Sequence, residues 1–516
     1  MKSVLKALAL ATVDALSSCL KGPPDGRRNT RSTEIGSPKP RAELEWDVPP
    51  EMQARACPAC GTGRPQIRFV LLHSDHGVDY AFWRCLSCGS VWHEGSGAQY
   101  ETTWPGSFSS VEIDQALKSG LDVAIQCEHD IEGILRDTFR LYRTVSQSGA
   151  SSRCARRLRF LDTGCGIAYS VDFLNKTFAC DAYGVEPAIE GFISSQVLGV
   201  RTFKSFDEAM TLGYKWDIIY LSQVIEHIPN PVAFLASIRE ALSNQNSLCE
   251  LNTPNGLVLA PSLGESRLKD FLANGQHLCL FSPKGLFTVL ERAGFRYTEV
   301  GFRSSDGTDL SALASSMRIE KPINPDEDFM PYYVEYLKSL ADIDNWHFSL
   351  GGAYRLLRHY VHRGEWDNAQ QWRERIGELI RREHNVHDSA DIMLRATSSM
   401  EWRDKKYPLC LAGIEYFTGM IELNRFANPV AALHRFERSR EILRRMAEIK
   451  LLPHEQRQYF WESIYHSALS KSRSGEAFSE LLALITKPLQ EDVVIFGYPF
   501  VELLQRASQL AASVTT

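Results

Sequence analysis

At 516 residues the chain is several times the usual ~100–200-residue domain, so one hydrophobic core cannot account for it. Its 44% apolar, 23% charged and 10% aromatic residues exclude a disordered, collagenous or disulfide-stapled chain, and no run approaches the ~18 apolar residues of a membrane-spanning helix. Fifty-seven Lys and Arg against 63 Asp and Glu give a formal charge of −6, which argues against a general phosphate-neutralising surface and against nucleic acid as a partner.

Residues 1–45 read as a flexible N-terminal segment. Its first twenty residues carry a Lys-containing start and an apolar stretch, as a secretory signal ending near Cys19 would. Asp14 interrupts that stretch, and Val4, Leu8, Ala11 and Ala15 equally fit an amphipathic helix. Residues 21–45, rich in Pro, Gly, Ser and charge, form a linker.

Residues 46–100 predict a zinc ribbon. Cys57 and Cys60 form one Cys-x-x-Cys knuckle, Cys85 and Cys88 the second, and a glycine follows each pair. Four thiolates make a closed tetrahedral shell, so the expected zinc is structural rather than catalytic. Short strands over 67–72 and 80–84 bring the knuckles together. Thiolates held for metal suit a reducing compartment, the cytoplasm. His73, His76 and His93 read as surface imidazoles. Residues 101–154 predict a helical bridge with amphipathic stretches over 113–117 and 131–142, positioned to lid the segment that follows.

Residues 155–320 alternate apolar strands with helices, the pattern of a doubly wound α/β sheet. A strand over 158–162 ends in Asp162. Gly164 and Gly166 follow, where a tight turn lets the backbone approach a ligand, and a helix runs over 169–178. A second strand over 181–185 ends in Glu186, twenty residues beyond Gly166, where a carboxylate can accept from both ribose hydroxyls of an adenosine. Further strands cover 216–222 and 248–253. The third glycine of a dinucleotide fingerprint is missing, so a cofactor without phosphates fits better.

The segments LDTGCGIA, GVEP, WDIIYLSQVIEHIPNP, LNTPNG and HLCLFSPKGLFTVLERAGF stand in the order of the class I S-adenosylmethionine-dependent methyltransferases, and residues 155–318 resemble that family. The resemblance is to the broad subgroup of ubiquinone-pathway, small-RNA and sugar methyltransferases. It implies a Rossmann-like, seven-stranded, mostly parallel sheet with an antiparallel hairpin over 295–302 and 310–316. It also implies that Asp162, Gly164 and Gly166 contact the methionine part of S-adenosylmethionine, that Glu186 holds the ribose, and that Ser222, Gln223 and Val224 line the site.

Methyl transfer needs an aligned acceptor and removal of its proton. Glu226 and His227 follow the fourth strand and His277 lies before a helix starting near Ser282, so these three are the candidate catalytic groups. A general base is the simpler role, since an imidazole titrates near neutrality. In the small-RNA and ubiquinone-pathway relatives a Glu-x-x-Glu-His motif binds a divalent ion. Gln223 replaces the first Glu, which weakens the case for Mg²⁺. Glu226 and His227 could instead cap a turn, and His277 could be a solvated loop residue. The loop over 255–276, with Leu257, Val258, Leu259 and Leu263, is of a length that covers acceptors, and Tyr169 is placed to face the pocket.

Residues 321–328 read as a linker and 330–516 as an all-α domain. The turns around Gly364–Ala369 and Asn428–Ala432 resemble those of tetratricopeptide repeats, with a concave face for a protein partner or self-association. The basic stretch 435–445 reads as a solvated helix face. Taken together, the sequence predicts O-methylation of a sugar, glycan or other polyhydroxylated acceptor. RNA 2'-O-methylation, sugar C-methylation and a non-catalytic cofactor-binding scaffold are the alternatives.

Overall fold

The computed structural model describes residues 43–45, 52–53, 56–63, 66–73, 79–93, 113, 117, 121–127, 131–147, 157–178, 180–243, 247–260, 265–317, 328–384 and 394–512. The expected N-terminal signal or amphipathic helix, nearly all of the 21–45 linker, the helix over 113–117 beyond its two end residues, the 321–327 linker and His76 lie outside them.

Two sheets organise the N-terminal part. The smaller contains β1 (Glu43–Glu45), β2 (Met52–Gln53), β3 (Gln66–His73), β4 (Asp79–Cys85) and β5 (Val91–His93). β3 and β4 pair as a hairpin from Gln66↔Cys85 to His73↔Asp79, which delivers Cys85 to the strand end beside the first knuckle. The larger sheet is the seven-stranded one the family pattern implies: β6 (Leu158–Thr163), β7 (Cys180–Val185), β8 (Thr202–Phe203), β9 (Ile218–Ser222), β10 (Leu248–Pro254), then β12 (Tyr297–Phe302) and β13 (Asp309–Ser315), in the order β12-β13-β10-β9-β6-β7-β8. Five strands run parallel, and the β12–β13 hairpin closes the edge antiparallel. Their apolar runs are buried, as parallel strands covered on both faces require. β9 and β10 reverse the strand order beside β6, so the crevice at the carboxyl ends of β6, β7 and β9 is where such sheets bind ligands.

The smaller sheet is finished by the larger domain. β11 (Cys279–Leu280) pairs antiparallel with β5 through Cys279↔Trp92 and Leu280↔Val91. The 255–276 segment is not all loop: it contains the helix Glu265–Leu272. Leu259, Leu268 and Leu272 are buried with Val70, Leu72, Phe82 and Val91 of the small sheet, so burial of its apolar residues draws the insertion onto the ribbon. The knuckles in turn dock on the helix Pro283–Arg292. Arg292 donates to the carbonyls of Pro58 (3.1 Å) and Ala59 (2.9 Å), and Lys284 to that of Ser87 (2.8 Å).

The described residues of 329–512 form helices joined by turns. Trp346–His362 and Trp366–His384 form one hairpin, Leu411–Asn424 and Pro429–Glu448 another, and the two repeat-like turns of the sequence join them. The basic stretch near 440 is less solvated than its composition suggests, because Arg435 pairs with Glu415 at 2.9 Å and Arg445 donates to the Ala396 carbonyl. This helical part shares a core with the sheet domain: Phe329 and Tyr336 pack on Phe173, and the Tyr336 hydroxyl donates to Asp172 at 3.0 Å. Arg355, buried, donates to the carbonyls of Ile125 (2.7 Å) and Ala124 (3.2 Å) in the bridge helix Asp122–Cys127. No helix among the described residues is long and apolar enough to cross a membrane.

Candidate active site

β6 ends in Asp162 and Thr163, and the chain then turns through Gly164 and Gly166 before the helix Tyr169–Thr177 begins. Gly164 has φ +81°, and a Cβ there would lie 2.2 Å from Val224 Cγ2, so only glycine fits. The turn is tied to β7: the N–H groups of Gly164 and Cys165 both donate to the Val185 carbonyl, at 2.7 and 3.0 Å. Glu186 completes the clamp. One carboxylate oxygen accepts from Gly166 N–H and the other from Ala188 N–H, each at 2.9 Å, while burial raises its pKa.

Asp162 is 3% exposed. Ser170 donates to its Oδ2, whereas Oδ1 is buried with no hydrogen-bond partner in the structure. Burial pushes its pKa up to about 7. An orphaned carboxylate oxygen beside a glycine turn is what an ammonium group would satisfy. Tyr169 is buried rather than open to the crevice. Its ring meets Phe348 edge-on, with the Arg355 guanidinium 6.0 Å from the ring centre.

Beyond β9, Ser222 is partly exposed and Gln223 exposed, with φ +57° at Gln223 and its N–H donating to Asn252 O (2.9 Å). A single 3-10 turn, Ile225–His227, then places Glu226 and His227 beside His277, and their ligating atoms all lie within 4.8 Å of one another. Each histidine uses Nδ1 on a carbonyl: His227 on Gln276 (3.1 Å), His277 on Phe271 (2.5 Å). A carbonyl can only accept, so Nδ1 carries the proton and Nε2 the lone pair in both rings. Burial lowers both pKa values, His277 to about 4 with the His227 ring contributing. Glu226 is fully buried, accepts from Thr253 Oγ1 (3.0 Å) and is pushed up to about 8 by burial.

A polar belt adjoins this cluster. Asp162, Tyr220 and Glu250 are register partners across β6, β9 and β10, as are Ser222, Asn252 and Ser311 across β9, β10 and β13. The helix Ile131–Gln147 covers that face with charge. Arg140 pairs with Glu250, and Asp137 accepts from Tyr220 Oη (3.4 Å), Asn252 Nδ2 (3.4 Å) and Arg303 Nε (3.0 Å). Asp137 and Arg303 are 18% and 17% exposed, so this wall is reachable. Sequence reading missed these groups; the signal was Glu250 and Asn252 two apart in an otherwise apolar buried strand.

The four knuckle cysteines converge as well. Sγ of Cys57 and Cys88 are 3.8 Å apart, Sγ of Cys60 and Cys85 3.6 Å, and all four sulfurs lie within 4.8 Å. A tetrahedron with ~2.3 Å metal–sulfur bonds has edges of about 3.8 Å, so the cluster has the dimensions of a four-thiolate metal site. His93, expected at the surface, is 5% exposed, and its Nε2 bonds the Gly275 carbonyl at 2.9 Å.

Residues 135–300 match the family model described as a methyltransferase domain. Among solved structures, the plantazolicin methyltransferase BpumL, in complex with SAH and a desmethylPZN analog, is 13% identical over 40% of this chain and 92% of its own, with a TM-score of 0.31. A SAM-dependent methyltransferase from Archaeoglobus fulgidus is 17% identical over 34% and 93%, TM-score 0.26. The Haloferax volcanii complex of the Trm112 activator with a putative methyltransferase is 11% identical over 40% and 98%, TM-score 0.28. These scores are too low to carry an argument, and no curated protein matches. The family match, the strand order and the clamped glycine turn define a methyltransferase domain of class I. The chain thus carries a methyltransferase domain, flanked by an N-terminal cysteine cluster and a helical C-terminal region.

Proposed function

We propose that this protein methylates a hydroxyl group of a sugar, glycan or other polyhydroxylated acceptor. The observation that carries the reading is the pair of imidazoles with Nε2 lone pairs, together with the partly exposed Asp137–Arg303 pair that the buried Asn252 braces. Bound S-adenosylmethionine supplies an electrophilic methyl group on a sulfonium. Asp162 Oδ1 would take the ammonium of its methionine part over the Gly164–Gly166 turn. Each Glu186 oxygen accepts one backbone N–H and keeps a lone pair for a ribose hydroxyl, and Ser222 and Gln223 stand at the crevice wall. The polar wall would orient hydroxyls by mixed donors and acceptors, and His227 or His277 would accept the proton at Nε2.

The three-group cluster also supports a second reading, in which Glu226, His227 and His277 hold a divalent ion that grips the acceptor oxygen. Two nitrogens and one oxygen are not the all-oxygen shell that magnesium takes, so zinc or manganese fits better. We assign structural zinc to Cys57, Cys60, Cys85 and Cys88, and the cytoplasm, where thiolates stay reduced, as the compartment. The helical region is the surface for a protein partner or a second copy.

A labelled-methyl transfer screen over nucleotide sugars, glycans and RNA tests the reading. Transfer to a sugar hydroxyl, reduced at least ~100-fold in His227→Ala or His277→Ala with cofactor binding intact, is the expected result. Transfer to RNA alone, or to carbon, would replace it. Loss of turnover on chelation, with the metal of the four-cysteine cluster retained, would favour the second reading.

A further inference from the structure

Away from the crevice, a cavity of about 170 Å³ lies between the helices Ile131–Gln147, Phe329–Ala341 and Trp346–His362. It is too small for a cofactor, whose pockets run to ~300–1,000 Å³. Four of its basic side chains, Arg355, Arg358, His359 and His362, come from one face of Trp346–His362, at spacings of i, i+3, i+4 and i+7. Arg363 adds a third guanidinium at the rim, although it already pairs with Glu365 at 2.7 Å. The only carboxylate among the lining residues is Glu132, and that is engaged by Arg136 at 2.8 Å.

The guanidiniums of Arg355 and Arg358, one turn apart, repel each other, more so where water is thinned, while burial lowers the pKa of His359 and His362 and leaves both imidazoles neutral N–H donors at pH 7. Arg355 donates to the carbonyls of Ile125 and Ala124. Arg358 makes no hydrogen bond or ion pair among the described residues. In a chain of net charge −6, carboxylates to quench this stripe were abundant, yet the cavity faces it with one that is already used. Such an array has the donors and volume for one small tetrahedral oxyanion, since guanidinium forks and imidazole N–H groups match phosphate oxygens.

We propose that this cavity binds a phosphate group, carried either by free phosphate or by a phosphate monoester whose organic part extends to solvent. The site is separate from the methyl-transfer crevice, and no step of the transfer passes through it.

The test is calorimetric titration of the full chain with inorganic phosphate and, separately, with glycerol 3-phosphate at constant ionic strength. Saturable one-site binding of at least one of them is expected. It should weaken at least tenfold in Arg358→Gln and in His362→Gln, with the melting curve and S-adenosylmethionine affinity of both variants unchanged. Binding of both ligands identifies a monoester site, and binding of phosphate alone a free-anion site. No saturable binding of either, or equal binding by wild type and both variants, overturns the proposal.

Discussion

Asp162 is where a single side chain decides most. Buried, with one oxygen orphaned, it holds its proton until about pH 7, far above an exposed Asp. An ammonium beside it would lower that pKa, so cofactor binding below pH 7 must expel a proton. Affinity for S-adenosylmethionine should therefore climb up to tenfold per pH unit as the pH rises toward 7, and level off above it. Calorimetry between pH 5.5 and 8.5 checks this. Asp162→Asn should flatten the profile and cost ~1.5–3 kcal/mol, the worth of a hydrogen bond to a charged group. Gly164→Ala is a harsher change, because the new methyl would strike Val224 while φ stays at +81°. It should abolish cofactor binding by calorimetry, and Val224→Ala should restore it only partly, since the backbone strain persists.

Among the elements, the helix Glu265–Leu272 and the cysteine knuckles make the sharpest predictions. Leu272→Ala removes a fully buried side chain between insertion and ribbon, and should cost about 2–5 kcal/mol in chemical denaturation with little change in cofactor affinity. Cys85→Ser should release the bound metal, measured by metal analysis, and destabilise the ribbon by several kcal/mol. Strands β6, β7, β9 and β10 were readable because each is a short apolar run ending in a signature residue, and Asp162, the glycines and Glu186 follow at fixed spacing. The ribbon's docking was not readable. His93 looked like a surface imidazole because its partner carbonyl, Gly275, lies 182 positions away. The packing of the 255–276 segment was not readable either, because nothing local shows that Leu268 and Leu272 point at Val70 and Phe82. Periodicity locates an apolar face but does not say what it packs against.

For the molecule as a whole, sheet domain and helical region share one core through Phe173, Phe329 and Tyr336. Phe329→Ala should cost about 3–5 kcal/mol. A fragment ending at residue 328 would expose Phe173 and strip Asp172 of its tyrosine partner. It should aggregate on expression, where the intact chain stays monodisperse by light scattering.

The pairing of β5 with β11 has a bearing on biosynthesis. The first sheet to leave the ribosome lacks its last strand until nearly two hundred further residues have been translated, and domains emerge at only ~5–20 residues per second. Cysteines 57, 60, 85 and 88 therefore spend that interval without the edge that shelters them.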